Sequence, residues 1–305
     1  MNFYHLYGAL LQSDIEFPEL EATSPKKKSS PILVSFFRHN FRSPFRKNGT
    51  ESKIIRYWFN PAGEEVVIDA SHAGAFRVHF KKRTIEWKPC DEERLDLARV
   101  IVKGIAMGLL LSHSPSFLLL HAAAIGHKGK AILLLGCQGQ GKSTLAAFLS
   151  NRGSSLLSDD IAVLRLERDC CVVQAGPPEI RLWPRTISLL KMDGKKKEMI
   201  YVETLKQRVV IEEGALKKAA PVDAIYILNR TKKARIRIDT LQGREAILRV
   251  LENCYMKTIK DPGALSQQLK LTAELTKRLP IKRLNYPSGF LHLPRIRQAL
   301  LRDSG

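Results

Sequence analysis

The stretch Gly136-Cys-Gln-Gly-Gln-Gly-Lys142-Ser143 decides the fold, because it carries the G-x-x-x-x-G-K-S spacing of a phosphate-binding loop. The apolar run 131–135 precedes it and the apolar-periodic stretch 144–149 follows, which predicts strand, loop and helix in that order. In such a loop Gly136, Gly139 and Gly141 let the backbone curl, so that successive N–H groups point at phosphate oxygens. Lys142 adds a cation on the β/γ side, and Ser143 offers a hydroxyl to Mg2+. Gln138, Gln140 and Thr144 complete the expected nucleotide-binding set. A nucleoside triphosphate, ATP, is the expected ligand, and a mere glycine-rich turn capping a core strand fits this context poorly.

Downstream, Leu156-Leu157-Ser158-Asp159-Asp160-Ile161-Ala162-Val163 reads as a buried strand interrupted by two adjacent carboxylates. Asp159 lies 17 positions (159 − 142) past Lys142, which leaves room for one short helix, a stop at Gly153 and an immediate return strand. Neighbouring strand residues point to opposite faces, yet at a strand end or kink both carboxylates can reach one site. One could then hold a metal through water while the other takes a proton from an attacking hydroxyl. The bland alternative is a Ser-Asp-Asp turn between Leu157 and Ile161.

These blocks, in their order, resemble the HPr kinase/phosphorylase family of serine kinases, whose catalytic domain is similar to phosphoenolpyruvate carboxykinase. The matching stretch runs from Leu120-His121-Ala122 through the turn Gly126-His127-Lys128-Gly129-Lys130, the P-loop, Arg152-Gly153 and Ser158-Asp159-Asp160 to Glu179-Ile180-Arg181. The resemblance implies an α/β, P-loop, PEP-carboxykinase-like catalytic domain that uses ATP and Mg2+. It implies Asp159 as the general base, His121 beside the transferred phosphoryl group and Lys142 on the phosphates. It places Ser143, Asp160 and Glu179 around the metal. Without the resemblance, His121 reads as a core histidine with satisfied hydrogen bonds.

The departures are informative too. Leu182-Trp183-Pro184 stands where the sugar-regulating HPr kinases continue with a glycine-containing signature, and the opening residues 4–20 look unlike their N-terminal domain. Both segments are similar to a branch associated with ribosomally made peptides, including lasso-peptide precursor kinases. The expected partner is therefore a peptide or protein with an acceptor serine, such as a precursor peptide. Phosphorolysis of phosphoserine at the same groups, or a non-catalytic nucleotide-binding regulator, are the rival readings. The family also implies a homo-oligomer.

A chain of 305 residues with 44% hydrophobic residues can bury a substantial core, which argues against global disorder. Its five cysteines are odd in number and Cys170-Cys171 are adjacent, which suits neither a disulfide framework nor a zinc site and points to a reducing cytoplasm. Cys137, inside the loop, reads as a small loop-filling residue. Residues 1–20 do not form a targeting segment, and 100–120 is interrupted by Lys103, His113 and Pro115, so no membrane span is expected.

The net charge of +20 comes from basic clusters scattered over the whole chain. Aromatics, at 7%, do not interleave with them, so the pattern does not point to a nucleic-acid partner. A solvated basic surface is the plainest reading, with attraction of an acidic peptide next.

Residues 1–92 predict a small N-terminal β-rich domain, with strands at 54–59, 66–68, 76–80 and 84–87 and loops at 24–31 and 42–53. The catalytic domain is expected over 93–305. A linking helix over 93–113 opens at Asp91-Glu92-Glu93, where acidic residues favour a helix start. From Phe117 a β-hairpin, the P-loop unit and strands at 161–166, 172–174 and 222–228 follow, then helices at 243–256 and 264–278, a strand at 281–286 and a helix at 294–301. The lysine-rich segment 193–201 reads as a mobile loop over the site.

Overall fold

The computed structural model describes residues 1–24, 32–44, 55–70, 72–90, 93–192, 197–201, 204–211, 214–232, 235–255 and 262–304. The chain divides into two compact units, Met1–Ser114 with Ile200–Thr204, and Pro115–Met199 with Leu205–Gly305.

The first unit is built on a sheet whose strands are β1 (Asn2–Leu6), β2 (Ala9–Ser13), β3 (Leu33–Arg38), β4 (Arg56–Phe59), β5 (Glu65–Ala70), β6 (Gly74–His79) and β7 (Thr84–Lys88). Their order in space is β1-β2-β3-β7-β6-β5-β4. The first three strands lie outside the sequence expectation. Tyr7 and Gly8, both at positive φ, make the tight β1–β2 turn, and two consecutive left-handed residues match the twist of a hairpin. Trp87 on β7 is fully buried, stacked on Phe76 and flanked by Phe36, and its indole N–H donates to the Ala73 carbonyl.

Helices α1 (Leu95–Ile101) and α2 (Met107–Ser112) are joined by a π-helical turn, Val102–Ala106. This segment, expected as a link belonging with the catalytic part, groups with the first unit instead. The physical reason is a buried ion pair: Lys103, 1% exposed, meets the Glu19 carboxylate, and His113 stacks on Phe80. A buried ammonium is tolerated only with such a partner. Asp91 and Glu92, and most of the loops expected at 24–31 and 42–53, lie outside the described residues.

From Phe117 onward the elements are β8 (Phe117–Leu120), β9 (Ala122–His127), β10 (Lys130–Leu135), α3 (Lys142–Ser150), β11 (Ser155–Ser158), β12 (Ala162–Leu166), β13 (Cys171–Val173) and β14 (Glu179–Leu182). Then come α4 (Pro184–Leu189), β15 (Lys197–Tyr201), β16 (Thr204–Val210), β17 (Ala220–Thr231), β18 (Arg237–Leu241), α5 (Gly243–Leu251), α6 (Pro262–Arg278), β19 (Ile281–Pro287) and α7 (Leu293–Asp303). The result is a mixed α/β architecture.

Strand β10 shows how the second unit is layered. Its side chains alternate between two cores: Ile132 and Leu134 join Leu145 and Leu149 of α3 and Ile296 of α7, while Ala131, Leu133 and Leu135 join Val250 of α5 and Leu275 of α6. Burial on both faces explains why this strand reads as a continuous apolar run. The β9–β10 hairpin turns at Lys128 and Gly129, both left-handed. Strand β8, expected to open a hairpin, pairs with β12 instead.

Strand order fixes what meets the loop. The sequence β11-β9-β10-β17 continues through β19, with β10, β17 and β19 parallel and β9 antiparallel to both its neighbours. Four strands, β11, β10, β17 and β19, therefore run the same way and deliver their C-terminal ends to one edge of the sheet, where ligands of α/β folds bind.

Two other expectations change. The helix expected over 243–256 stops at Leu251, because Asn253 leaves it to bond the P-loop and Cys254 bridges Leu120. In the segment expected as a loop at 193–201, residues 197–201 form β15, and residues 193–196 lie outside the described residues.

Candidate active site

The P-loop leaves β10 at Gly136, which is fully buried with φ 147°, a conformation open to glycine alone. A Cβ there would come within 3.1 Å of the Leu228 carbonyl oxygen on β17, so the loop can hug the sheet only without a side chain. Its N–H donates to Asn253 Oδ1 at 3.0 Å, and Asn253 is locked in turn by its own Nδ2 bond to the Arg249 carbonyl at 2.8 Å. Replacing Asn253 by Ala strands that buried N–H. The expected cost is about 1–2 kcal/mol of stability, read by urea denaturation.

Lys142 opens α3 and is 8% exposed. Its ammonium donates to the Gly136 carbonyl at 2.5 Å and the Cys137 carbonyl at 3.4 Å. Burial pulls its pKa below the ordinary lysine range, and the Asp159 and Asp160 charges offset this only in part. Gln138 and Gly139 are exposed at the loop tip, whereas Gln140 is pinned: its Oε1 accepts from the Arg230 N–H at 2.8 Å and its carbonyl accepts from the Tyr286 hydroxyl. Thr144 is half-buried one residue beyond Ser143.

The carboxylates follow β11 and turn sharply, with Asp160 at φ 73°. That strained residue is what lets adjacent side chains serve one site from the end of a strand. Ser143 Oγ donates to Asp159 Oδ1 at 2.9 Å, and the Arg181 N–H donates to Asp159 Oδ2 at 3.1 Å. Asp160 Oδ2 receives the Arg181 guanidinium at 2.8 Å, while His121 Nδ1 lies 3.1 Å from Asp160 Oδ1 and 3.0 Å from the Asp160 carbonyl oxygen. Loop lysine, loop serine, both aspartates and His121 thus converge at the start of α3.

The two aspartates are tuned in opposite directions. Burial pushes Asp159 above the usual carboxylate range despite its hydrogen bonds. Burial works the same way on Asp160, but the Arg181 guanidinium and His121 outweigh it and hold that carboxyl well below the usual range. A depressed carboxyl adds stability above its unfolded pKa, near ~4, and loses it as pH falls through the folded value. Asp160→Asn should therefore destabilise the protein by about 1–3 kcal/mol at neutral pH, with the gap to wild type closing under acid. Urea denaturation between neutral and acidic pH reads both limbs.

The sequence reading puts Ser143, Asp160 and Glu179 around a metal. Ser143 faces Asp159, not Asp160, and Glu179 is paired with the buried Arg208 at 2.9 Å across the β14–β16 ladder. Among the described residues no group of three or more His, Cys, Asp or Glu side chains is placed to hold a metal. Arg181, Arg208, Asn253, Arg230 and Tyr286 were not among the candidate residues. Arg181 had a signal in Glu179-Ile180-Arg181; the others had none, because each comes from an element distant in sequence.

No family model matches the chain, and no curated protein matches it. Among solved structures, the Hpr(Ser) kinase/phosphatase from Coxiella burnetii is similar at 13% identity and a TM-score of 0.31, over 61% of this chain and 99% of that chain. Among the described residues, no helix is long and apolar enough to cross a membrane.

Proposed function

We propose that this chain is a P-loop serine kinase of the HPr-kinase-like type, which moves the γ-phosphoryl group of ATP to a serine hydroxyl of a peptide or protein. The observation that carries the reading is the 2.9 Å contact between Ser143 of the P-loop helix and Asp159, which sets a carboxylate at the mouth of a phosphate cradle. Phosphoryl transfer asks for positioning and charge neutralisation more than covalent chemistry. The loop N–H groups and Lys142 would supply both to the β and γ phosphates.

Mg2+ fits the site in a restricted way. It binds through one or two protein oxygens with phosphates and waters making up the rest, and bound there it would neutralise charge on the β and γ oxygens. Ser143 and Asp159 offer such a hard oxygen pair. Asp160 and Glu179 are committed to arginines, so they would act by ordering Arg181 and Arg208.

Asp159 is the proton acceptor in this reading: it stands beside the loop serine, and burial raises its affinity for a proton above that of an ordinary carboxylate. A second reading has His121 in that role, favoured by its Nδ1 contact to Asp160, which orients the ring as a carboxylate orients the histidine of a triad. The acceptor is a ribosomally made precursor peptide, lasso-type in the resemblance, acting in the cytoplasm. The test is incubation of the protein with ATP, Mg2+ and serine-containing precursor peptides, followed by intact-mass and fragmentation spectra. A serine that gains one phosphoryl group supports the proposal, and steady ATP hydrolysis with every peptide unmodified rejects it.

A further inference from the structure

The two flanks of the P-loop are chemically different. On the β11 side stand the carboxylates and His121, the groups suited to the transferred phosphoryl end. On the β17–β19 side, Arg230 and Tyr286 sit opposite each other in register at the ends of two parallel strands. Both lie next to Gly141: a Cβ on Gly141 would meet an Arg230 guanidinium nitrogen at 2.9 Å and the Tyr286 hydroxyl at 3.2 Å. The Arg230 side chain also hydrogen-bonds that hydroxyl. The guanidinium is thus held against the last residue before α3, at the end of the helix where backbone N–H groups gather around an anion.

Arg230 differs from the other two arginines of the site. Arg181 and Arg208 are paired with Asp160 and Glu179. Among the described residues no carboxylate pairs with Arg230, and its side chain is exposed. A phosphate chain laid across the loop, with its terminal phosphoryl group toward Asp159, runs its nucleoside end toward β17 and β19. Guanidinium groups favour phosphate through paired, charge-assisted hydrogen bonds.

We propose that Arg230 binds the α-phosphate of the nucleotide and so marks the nucleoside side of the site. This rests on the reading of the P-loop as a nucleotide site. Gly141 makes the contact possible, and the Arg230 N–H bond to Gln140 Oε1 fixes the strand end from which the guanidinium reaches. Because the α-phosphate is common to both nucleotides, ATP and ADP should depend on Arg230 equally.

Isothermal titration of ATP and ADP, each with Mg2+, into wild type, Arg230→Ala and Arg230→Gln tests this, with melting temperatures measured without nucleotide. Both variants are expected to weaken ATP and ADP by the same ~10-fold or more while the melting temperature stays put. Arg230→Gln keeps the packing on Gly141 and removes the charge, so full affinity in that variant overturns the proposal. A loss confined to ATP also overturns it, by assigning the guanidinium to the terminal phosphoryl group. So does a loss accompanied by a large fall in melting temperature in both variants, which would make Arg230 a brace for the loop. Wild type binding neither nucleotide would overturn the nucleotide reading itself, and this inference with it.

Discussion

Lys142→Met should abolish measurable phosphoryl transfer, slowing it by ~10²–10³ or more, without loss of stability. The ammonium is buried and its only hydrogen bonds among the described residues are to two loop carbonyls, Gly136 and Cys137. Burial depresses its pKa, which means the folded state disfavours the charge that the proposed phosphate contact would use. Methionine fills similar volume without that desolvation cost, so the variant should melt at or above the wild-type temperature. Activity and stability then move apart. A transfer assay beside a calorimetric melt reads both, and a variant that keeps wild-type turnover would remove Lys142 from the phosphate site.

Asp159→Asn should have the other large effect: transfer falls by ~10²–10⁴ while stability at neutral pH rises. For a carboxyl whose folded pKa is raised, the favourable contribution is present below the unfolded pKa and is lost as pH climbs through the folded value. At neutral pH wild type therefore carries a buried carboxylate at a cost, and the amide removes it. Asparagine still accepts from Ser143 or from the Arg181 N–H, so the local geometry survives. The two roles open to Asp159 separate by metal dependence: a lost metal contact is partly restored by excess Mg2+, whereas a lost proton acceptor is not. Asp160→Asn, with the opposite stability change, is the internal control.

What the sequence showed and what it hid follow from how far each feature depends on distant chain. The strand, loop and helix around Gly136–Ser143 were legible because glycine spacing, a doubly buried strand and an apolar helical face are all local. The β9–β10 turn was legible for the same reason. Strands β1 to β3 were not, since the β1–β2 turn uses Tyr7, whose left-handed backbone no turn rule assigns to tyrosine, and β3 pairs in parallel with β2 and β7 rather than through a local hairpin. The length of α5 was misjudged because helical periodicity runs through Asn253, and only the tertiary bond to Gly136 ends the helix there.

The site divides along the same line. Spacing brought Lys142, Ser143, Asp159 and Asp160 into one list and the family resemblance added His121; Ser143 contacts Asp159, and His121 contacts Asp160. Their pairings could not be read, because they hinge on the left-handed turn at Asp160 and on Arg181 arriving from β14. The Glu179 pairing could not be read for a related reason: its partner, Arg208, sits on β16, and no local pattern foretells that ion pair.

The most direct measurement is single-turnover formation of phosphoserine on a precursor peptide, with wild type and Asp159→Asn both saturated with ATP and Mg2+. Wild type is expected to place the γ-phosphoryl group on one serine, and the variant, though saturated with ATP, to leave the peptide unmodified. Equal phosphoserine yields from both proteins would contradict a transfer site built around Asp159 at the mouth of the loop.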